Sequence, residues 1–209
     1  AALFTTQLFS GNVRGANNRI ALAIVGVGGM GGTHLRALAQ RSDAKVVAVC
    51  DVYPEESRRR MAEALEKEKA PQDMREGIFR IPYETDFRNI VRRTDIDAIV
   101  IATPDHWHPY ITIEACKAGK DVYVEKPVSH NIFEGQAMIE AARKYGRVVQ
   151  VGTQQRSDGV FKNAVRIVRS RNVLDTVVAT RAWINGDYPL ACVADAVAPG
   201  GLNWDMWLG

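Results

Sequence analysis

Cysteine is scarce in this 209-residue chain. The three present, Cys50, Cys116 and Cys192, form an odd set without the spacing of metal ligands, which argues against both a metal centre and a disulfide framework. Cys50 falls in an expected strand and Cys116 on an expected helix, where a thiol serves as a small core residue. Excess charge is lacking too: 27 Lys and Arg against 24 Asp and Glu leave a net charge of +3. The basic residues are spread along helices and no basic patch interleaves with aromatics, so nucleic-acid binding has no support. The apolar stretch Ala1-Ala2-Leu3-Phe4-Thr5-Thr6-Gln7-Leu8-Phe9 is too short to span a membrane. It reads as the tail of a signal peptide's apolar region or as an arm lying on the surface, outside any domain. Internal repeats and low-complexity tracts are missing. What remains, 46% hydrophobic and 24% charged, is an ordinary globular composition long enough for one full domain and part of another.

From Ile20 to about Gly152 strand and helix patterns alternate, the mark of a parallel sheet covered on both faces. The expected fold class is α/β, a Rossmann doubly wound parallel sheet over residues 19–152, after an arm or signal remnant over 1–18. Strands are expected at Ile20–Val25, Val46–Cys50, Ala98–Ala102, Asp121–Val124 and Val148–Val151. Helices are expected from Thr33 to Gln40, from Pro54 to about Lys69, at Phe87–Arg93, at Ile111–Lys117 ended by Gly119, and at Ile132–Tyr145 stopped by Gly146. From Thr153 the pattern changes to a helix over Phe161–Ser170 and an alternating segment, Thr176–Trp183, that suits an antiparallel strand. Residues 153–209 therefore read as the beginning of an α+β substrate domain.

The strongest local signal is Gly26-Val27-Gly28-Gly29-Met30-Gly31, directly behind the apolar run Ile20–Val25. A buried strand delivers the chain to a tight turn that opens a helix, whose free N–H groups can hold a pyrophosphate. Gly26 permits the turn, Gly28 lets a dinucleotide approach the backbone, and Gly31 lets the helix pack against the strand. The next apolar run ends in Asp51, twenty positions after Gly31, where a carboxylate accepts hydrogen bonds from an adenosine ribose. The competing reading is a plain strand-end cap. A carboxylate there favours NAD and repels the 2′-phosphate of NADP. Arg58, Arg59 and Arg60 lie just downstream, but Glu55/Arg59, Glu56/Arg60 and Glu63/Lys67 are i,i+4 pairs, so a solvated helix face accounts for them better than a phosphate clamp.

Two further groups sit at expected strand ends, where open α/β sheets bind ligands. In Thr103-Pro104-Asp105-His106-Trp107-His108, the proline stiffens the turn and Thr103 and Asp105 are placed to cap the following helix. His106 and His108 read equally as cofactor contacts and as packing against Trp107. In Glu125-Lys126-Pro127, the lysine emerges on the same sheet edge as the glycine turn. A partly desolvated ammonium there can hydrogen-bond a substrate hydroxyl and ease hydride departure, or it can be a surface lysine beside a turn.

Taken in order, the glycine turn, Asp51, Thr103-Pro104-x-x-x-His108, Glu125-Lys126-Pro127 and Gly152-Thr153-Gln154-Gln155-Arg156 resemble the Gfo/Idh/MocA oxidoreductases, from about Arg19 onward. The resemblance implies that Lys126 is the active-site lysine, held by a cis Lys126–Pro127 bond. It further implies that Thr103, Pro104 and His108 line the nicotinamide side of the cofactor site, and that His106, Glu125 and Lys126 join Gly26, Gly28, Gly29, Met30, Gly31 and Asp51 around the cofactor. Gln154 would touch the cofactor, with Gln155 and Arg156 near the substrate at the domain junction. Trp204-x-x-Trp207-Leu208-Gly209 is similar to a segment of exported bacterial members, which often carry twin-arginine signals; otherwise these tryptophans belong to the core of the second domain.

The function so implied is NAD-dependent hydride transfer to or from the carbinol of a sugar or polyol, with Lys126 polarising the reacting oxygen and a base beyond Gly209 taking its proton. A homo-oligomer is compatible with it. Two rivals stand beside it. One is a hydrolase or epimerase of the same fold that keeps and recycles one NAD; the other is a dinucleotide-binding module without turnover.

Overall fold

The computed structural model describes residues 19–67, 77, 80–170, 175–183 and 196–209. The expected arm over 1–18 and Cys192 lie outside them. Six strands form one sheet: β1 (Ile20–Val25), β2 (Ala44–Cys50), β3 (Tyr83–Glu84), β4 (Ala98–Ile101), β5 (Asp121–Glu125) and β6 (Val149–Gly152). Their order is β3-β2-β1-β4-β5-β6, with every pairing parallel. This is the Rossmann arrangement, whose order reverses between β1 and β4 and opens a crevice at the carboxyl ends.

The central strands are apolar throughout because both faces are covered. Ala23 and Val25 of β1 join Ile99, Ile101, Val122 and Val124 on one face, while Leu22 and Ile24 join Val100 and Tyr123 on the other. On the first face lie α3 (Phe87–Arg92), α4 (His108–Lys117) and α5 (Ile132–Tyr145), which contribute Phe87, Ile90, Ile111, Ala115 and Met138. On the second lie α1 (Gly29–Ala39) and α2 (Pro54–Lys67), with Leu35, Leu38, Met61 and Leu65. Cys50 and Cys116 are buried free thiols, and burial pushes both upward, Cys116 to about 11.

Local chemistry sets the ends of these elements. The Asp86 carboxylate accepts from Arg88 N at 2.9 Å to start α3, and the Asn131 side chain accepts from Glu134 N at 3.0 Å to start α5. Gly146 closes α5 in the left-handed region, at φ +61°. The expected capping of α4 by Thr103 and Asp105 is not found. A 3-10 turn over Asp105–Trp107 intervenes, Trp107 N donates to Pro104 O at 3.1 Å, and Pro109 in the first turn removes a donor that a cap would serve. α1 begins at Gly29 rather than Thr33, directly on the glycine turn.

The chain divides into two compact units. The first holds the sheet and its helices together with Pro199–Gly209; the second is Thr153–Ala198. In the second unit Asp158 caps α6 (Gly159–Arg169), accepting from Val160 N at 2.8 Å, and the apolar side chains Val160, Phe161, Val165 and Val168 are exposed. No strand forms at 176–183, contrary to the alternation of the sequence. Alternation specifies which side chains share a face, but a strand exists only when a neighbour completes its ladder, and the described residues of this unit offer none. In the first unit, α7 (Trp204–Leu208) packs Met206 against the core, so these residues are not second-domain core.

Candidate cofactor and active site

The glycine turn is built by close approach. Gly26, at φ +83°, donates its N–H to Cys50 O at 2.8 Å, and a Cβ there would stand 2.7 Å from the Ala102 carbonyl carbon. A Cβ on Gly31 would stand 1.7 Å from Gly26 O, so α1 packs on the turn with no space for a side chain. Gly28 and Gly29 differ: a Cβ on Gly28 meets nothing nearer than an Arg60 nitrogen at 3.9 Å, and one on Gly29 meets nothing within 4 Å. Their open side faces outward beside Met30, at the start of a helix with no side-chain cap and no acid in its first turn. Those first N–H groups have no intrahelical acceptor and suit an anion.

Asp51 ties β2 to this turn. Its Oδ2 accepts from Val27 N at 2.9 Å and its Oδ1 from Tyr53 N at 3.0 Å. It is a strand-end cap, and a carboxylate with two bonds still has lone pairs for ribose hydroxyls. The arginines downstream are largely committed elsewhere. Arg58 lies 4.8 Å over the Tyr83 ring, Arg59 bridges Glu56 and Glu63, and Arg60 donates to Glu56 Oε1 at 2.6 Å. Hydrogen bonds from Arg59 and Arg60 hold the Glu56 carboxyl down to about 2, so it stays ionised and keeps both arginines occupied at neutral pH. The expected Glu55/Arg59 pair is replaced by Glu56/Arg59, one residue closer, and the Lys67 side chain lies outside the described residues.

At the β4 end, Thr103 and Pro104 line the crevice. His108 is enclosed at 1% exposure, with Nδ1 2.7 Å from Pro127 O and Nε2 2.9 Å from Thr103 O. A neutral imidazole donates to one of these carbonyls, a protonated one to both; either way the ring ties the β4 loop to the β5 loop. His106 donates from Nε2 to Trp207 O at 2.9 Å, an attachment for α7.

At the β5 end, Glu125 is buried and accepts from His34 Nε2 at 2.7 Å through Oε1 and from Lys126 N at 3.2 Å through Oε2. A Cβ on Gly152 would stand 2.8 Å from Tyr123 Oη and 3.0 Å from Glu125 Oε1, so the glycine clears space for this cluster. Burial, then the Glu125 carboxylate, pushes the Tyr123 hydroxyl up to about 12, which keeps it protonated. Lys126 follows, exposed rather than partly desolvated, across the cis Lys126–Pro127 bond. Gln154, Gln155 and Arg156 lie exposed on a 3-10 turn of the second unit.

The resulting crevice, about 480 Å³, runs from Gly26 and Gly28 past Asp51 to Thr103 and Trp107. In its wall the Thr103 hydroxyl and the Trp107 Nε1 are buried without a hydrogen-bond partner. An uncapped helix start, two glycines open to the outside, a ribose-competent carboxylate and orphaned polar atoms together fit a dinucleotide. Among the described residues no group of three or more His, Cys, Asp or Glu could hold a metal ion.

The model of an oxidoreductase family with an NAD-binding Rossmann fold, Gfo/Idh/MocA, matches residues 20–153. The chain belongs to the Gfo/Idh/MocA family. Its cofactor is NAD. An inositol 2-dehydrogenase of Rubrobacter xylanophilus is 34% identical over 82% of this chain and 45% of its own length. The myo-inositol 2-dehydrogenase of Lactobacillus plantarum superposes with a TM-score of 0.60 at 26% identity, covering 74% of this chain and 42% of that one. The scyllo-inositol dehydrogenase of Lactobacillus casei, solved with NAD(H) and scyllo-inositol, gives a TM-score of 0.59 at 26% identity, covering 75% and 43%. The chain thus spans less than half the length of the relatives it matches.

Within this Gfo/Idh/MocA chain, sequence reasoning missed His34 and Tyr123, which flank the buried Glu125. His34 sits on a helix whose apolar spacing draws attention to Leu35 and Leu38, and its partner Glu125 is 91 residues away. The available signal was that a carboxylate ending a buried strand requires a donor.

Proposed function

We propose that this chain is the cofactor-binding part of an NAD-dependent oxidoreductase acting on the CH–OH group of a polyol or sugar. The observation that carries the reading is the placement of Lys126: exposed at the end of β5, on the same sheet edge as the glycine turn and the dinucleotide crevice. Bound NAD supplies the hydride acceptor. Lys126 Nζ donates a hydrogen bond to the substrate oxygen and so favours transfer of the hydroxyl proton to a general base supplied by the rest of the enzyme as the hydride leaves the carbon. His34 and Glu125 fix the backbone from which Lys126 projects, and His108 holds the β4 and β5 loops together beneath it. Inositol-type polyols are the first substrates to test, because the similar proteins are named for them.

The test uses the full-length enzyme that contains this chain: dialyse it, denature a portion and assay the supernatant for dinucleotide, then follow NADH formation with inositols, sugars and free NAD. An empty site that refills on titration, with polyol-dependent NADH, supports the dehydrogenase. NAD retained near one per chain without net NADH overturns it in favour of the internally recycling enzyme, and binding without any turnover reduces the protein to a binding module.

Asp51 sets the choice of dinucleotide. Asp51→Ala is expected to weaken NAD by about 10- to 100-fold, the range of a hydrogen bond to a charged group, and to narrow the preference over NADP. Competition titrations with both dinucleotides read the two effects; an unchanged NAD/NADP ratio contradicts the role given to the carboxylate.

A further inference from the structure

We propose that Trp204 and Trp207 are cofactor-binding residues that cover the adenosine end of the crevice and receive the adenine ring. The inference rests on the reading of that crevice as the NAD site, and goes beyond it by assigning residues from outside the Rossmann sheet.

The segment Pro199–Gly209 belongs to the same unit as the sheet and is pinned there at both ends. Asn203 N donates to Val52 O at 3.0 Å, just past the end of β2, and His106 of the β4 loop donates to Trp207 O at 2.9 Å. α7 therefore bridges from the β2 end to the β4 end, across the place where the strand order reverses. Met206 fastens it to the core below. The two indoles stack on each other, centroids 5.1 Å apart and 10° from parallel, and line the same crevice as Gly28 and Asp51. They are 43% and 39% exposed, and both face the crevice they line.

The side of the crevice fixes which part of the cofactor they meet. Asp51 marks the adenosine ribose; Asn203, which precedes Trp204, is bonded to Val52, which follows Asp51, and the crevice they share reaches Thr103 and Pro104 but not Lys126. The tryptophans thus lie at the adenosine end, away from the end where hydride moves. Adenine offers a flat π face and few charges, the chemistry that a stacked indole pair accepts. Base–aromatic stacking is sequence-tolerant, so discrimination between NAD and NADP stays with Asp51 while the tryptophans supply affinity.

The test compares NAD and ADP-ribose binding by calorimetry in the purified protein, its Gly28→Val variant and three paired variants. Trp204→Ala with Trp207→Ala is expected to weaken both ligands by the same factor, about 5- to 150-fold. Trp204→Leu with Trp207→Leu keeps the apolar bulk but lacks the π face; it is expected to fold and still bind at least about 5-fold more weakly. Trp204→Phe with Trp207→Phe is expected to restore most of the affinity. Wild-type affinity in both the alanine and leucine pairs, with Gly28→Val unable to bind, overturns the cover and leaves the NAD site standing. If the unaltered protein binds neither ligand, the reading of the crevice itself fails and the cover fails with it. A loss confined to NAD, with ADP-ribose unaffected, also overturns the proposal, since it moves the tryptophans to the nicotinamide end.

Discussion

Gly31→Val is expected to break the fold at its first turn, whereas Gly28→Val is expected to fold and to lose the dinucleotide. The two glycines stand three positions apart in one motif, yet their surroundings are opposite. At Gly31 a Cβ would lie 1.7 Å from Gly26 O, half an ordinary contact distance, and the obstacle is backbone that cannot rotate away. Gly26 has little room to retreat, because it lies so close to the end of β4 that a Cβ added to it would stand 2.7–2.8 Å from the Ala102 and Thr103 backbone. The start of α1 must therefore move off β1, opening the contact on which Leu35 and Leu38 depend. Overpacking of this kind costs on the order of 3 kcal/mol or more, a large fraction of the stability of a domain. It corresponds to a fall in Tm of about 10 °C. At Gly28 the added side chain points into open space, so the helices persist, but it fills the space a pyrophosphate needs. NAD affinity is expected to drop by at least about 100-fold, roughly two charge-assisted hydrogen bonds. Thermal unfolding followed by circular dichroism, paired with NAD titration, separates the two effects. Equal melting temperatures for the two variants would show that α1 accommodates a side chain at Gly31 without leaving β1, and undiminished NAD binding by folded Gly28→Val would remove the pyrophosphate from this turn.

Much of the Rossmann sheet is legible in the sequence because its physics is local. Ile20–Val25 has no polar alternation since both faces of β1 are covered, and Gly146 announces the end of α5 because a left-handed residue must be there. Asp51 and the glycines are legible because their chemistry follows from position along one βαβ unit. The rest depends on partners that spacing does not reveal. Thr103 and Asp105 have the right types and position to cap α4, but the chain forms a 3-10 turn over Asp105–Trp107 first and neither side chain caps the helix. His108 reads as a candidate cofactor contact, yet carbonyls from two different loops enclose it. The segment at Thr176–Trp183 alternates correctly and is no strand, since pairing is a property of two segments. Trp204 and Trp207 read as core of a second domain because nothing in their local pattern indicates that Val52 and His106 hold them over the crevice.

Lys126→Ala is expected to lower kcat for polyol oxidation by about 10²- to 10⁴-fold, the range of a positioned acid–base group, while leaving NAD affinity within about threefold. The separation follows from geometry: Lys126 is exposed beyond β5 and does not line the crevice that contains Gly28 and Asp51. Lys126→Arg is expected to recover little, because a planar guanidinium presents its donors differently from a compact ammonium and holds its proton more firmly. The lysine's reach also depends on what lies behind it. Glu125 receives the Lys126 N–H and the His34 ring on its two oxygens, in a pocket that Gly152 keeps clear. Removing His34 leaves a buried carboxylate with one fewer donor, so His34→Ala is expected to reduce kcat more than it raises KM, by loosening the strand end rather than by removing a reacting group. His34→Gln, which can still donate to Glu125, is expected to restore part of the rate. Steady-state kinetics of the four variants, made in the full-length enzyme that contains this chain, with the best polyol and alongside NAD titrations, tests this order. A Lys126→Ala protein that keeps kcat within tenfold of the unaltered enzyme would mean that the reacting oxygen is served by another residue, and that the lysine at this strand end is only a surface cation.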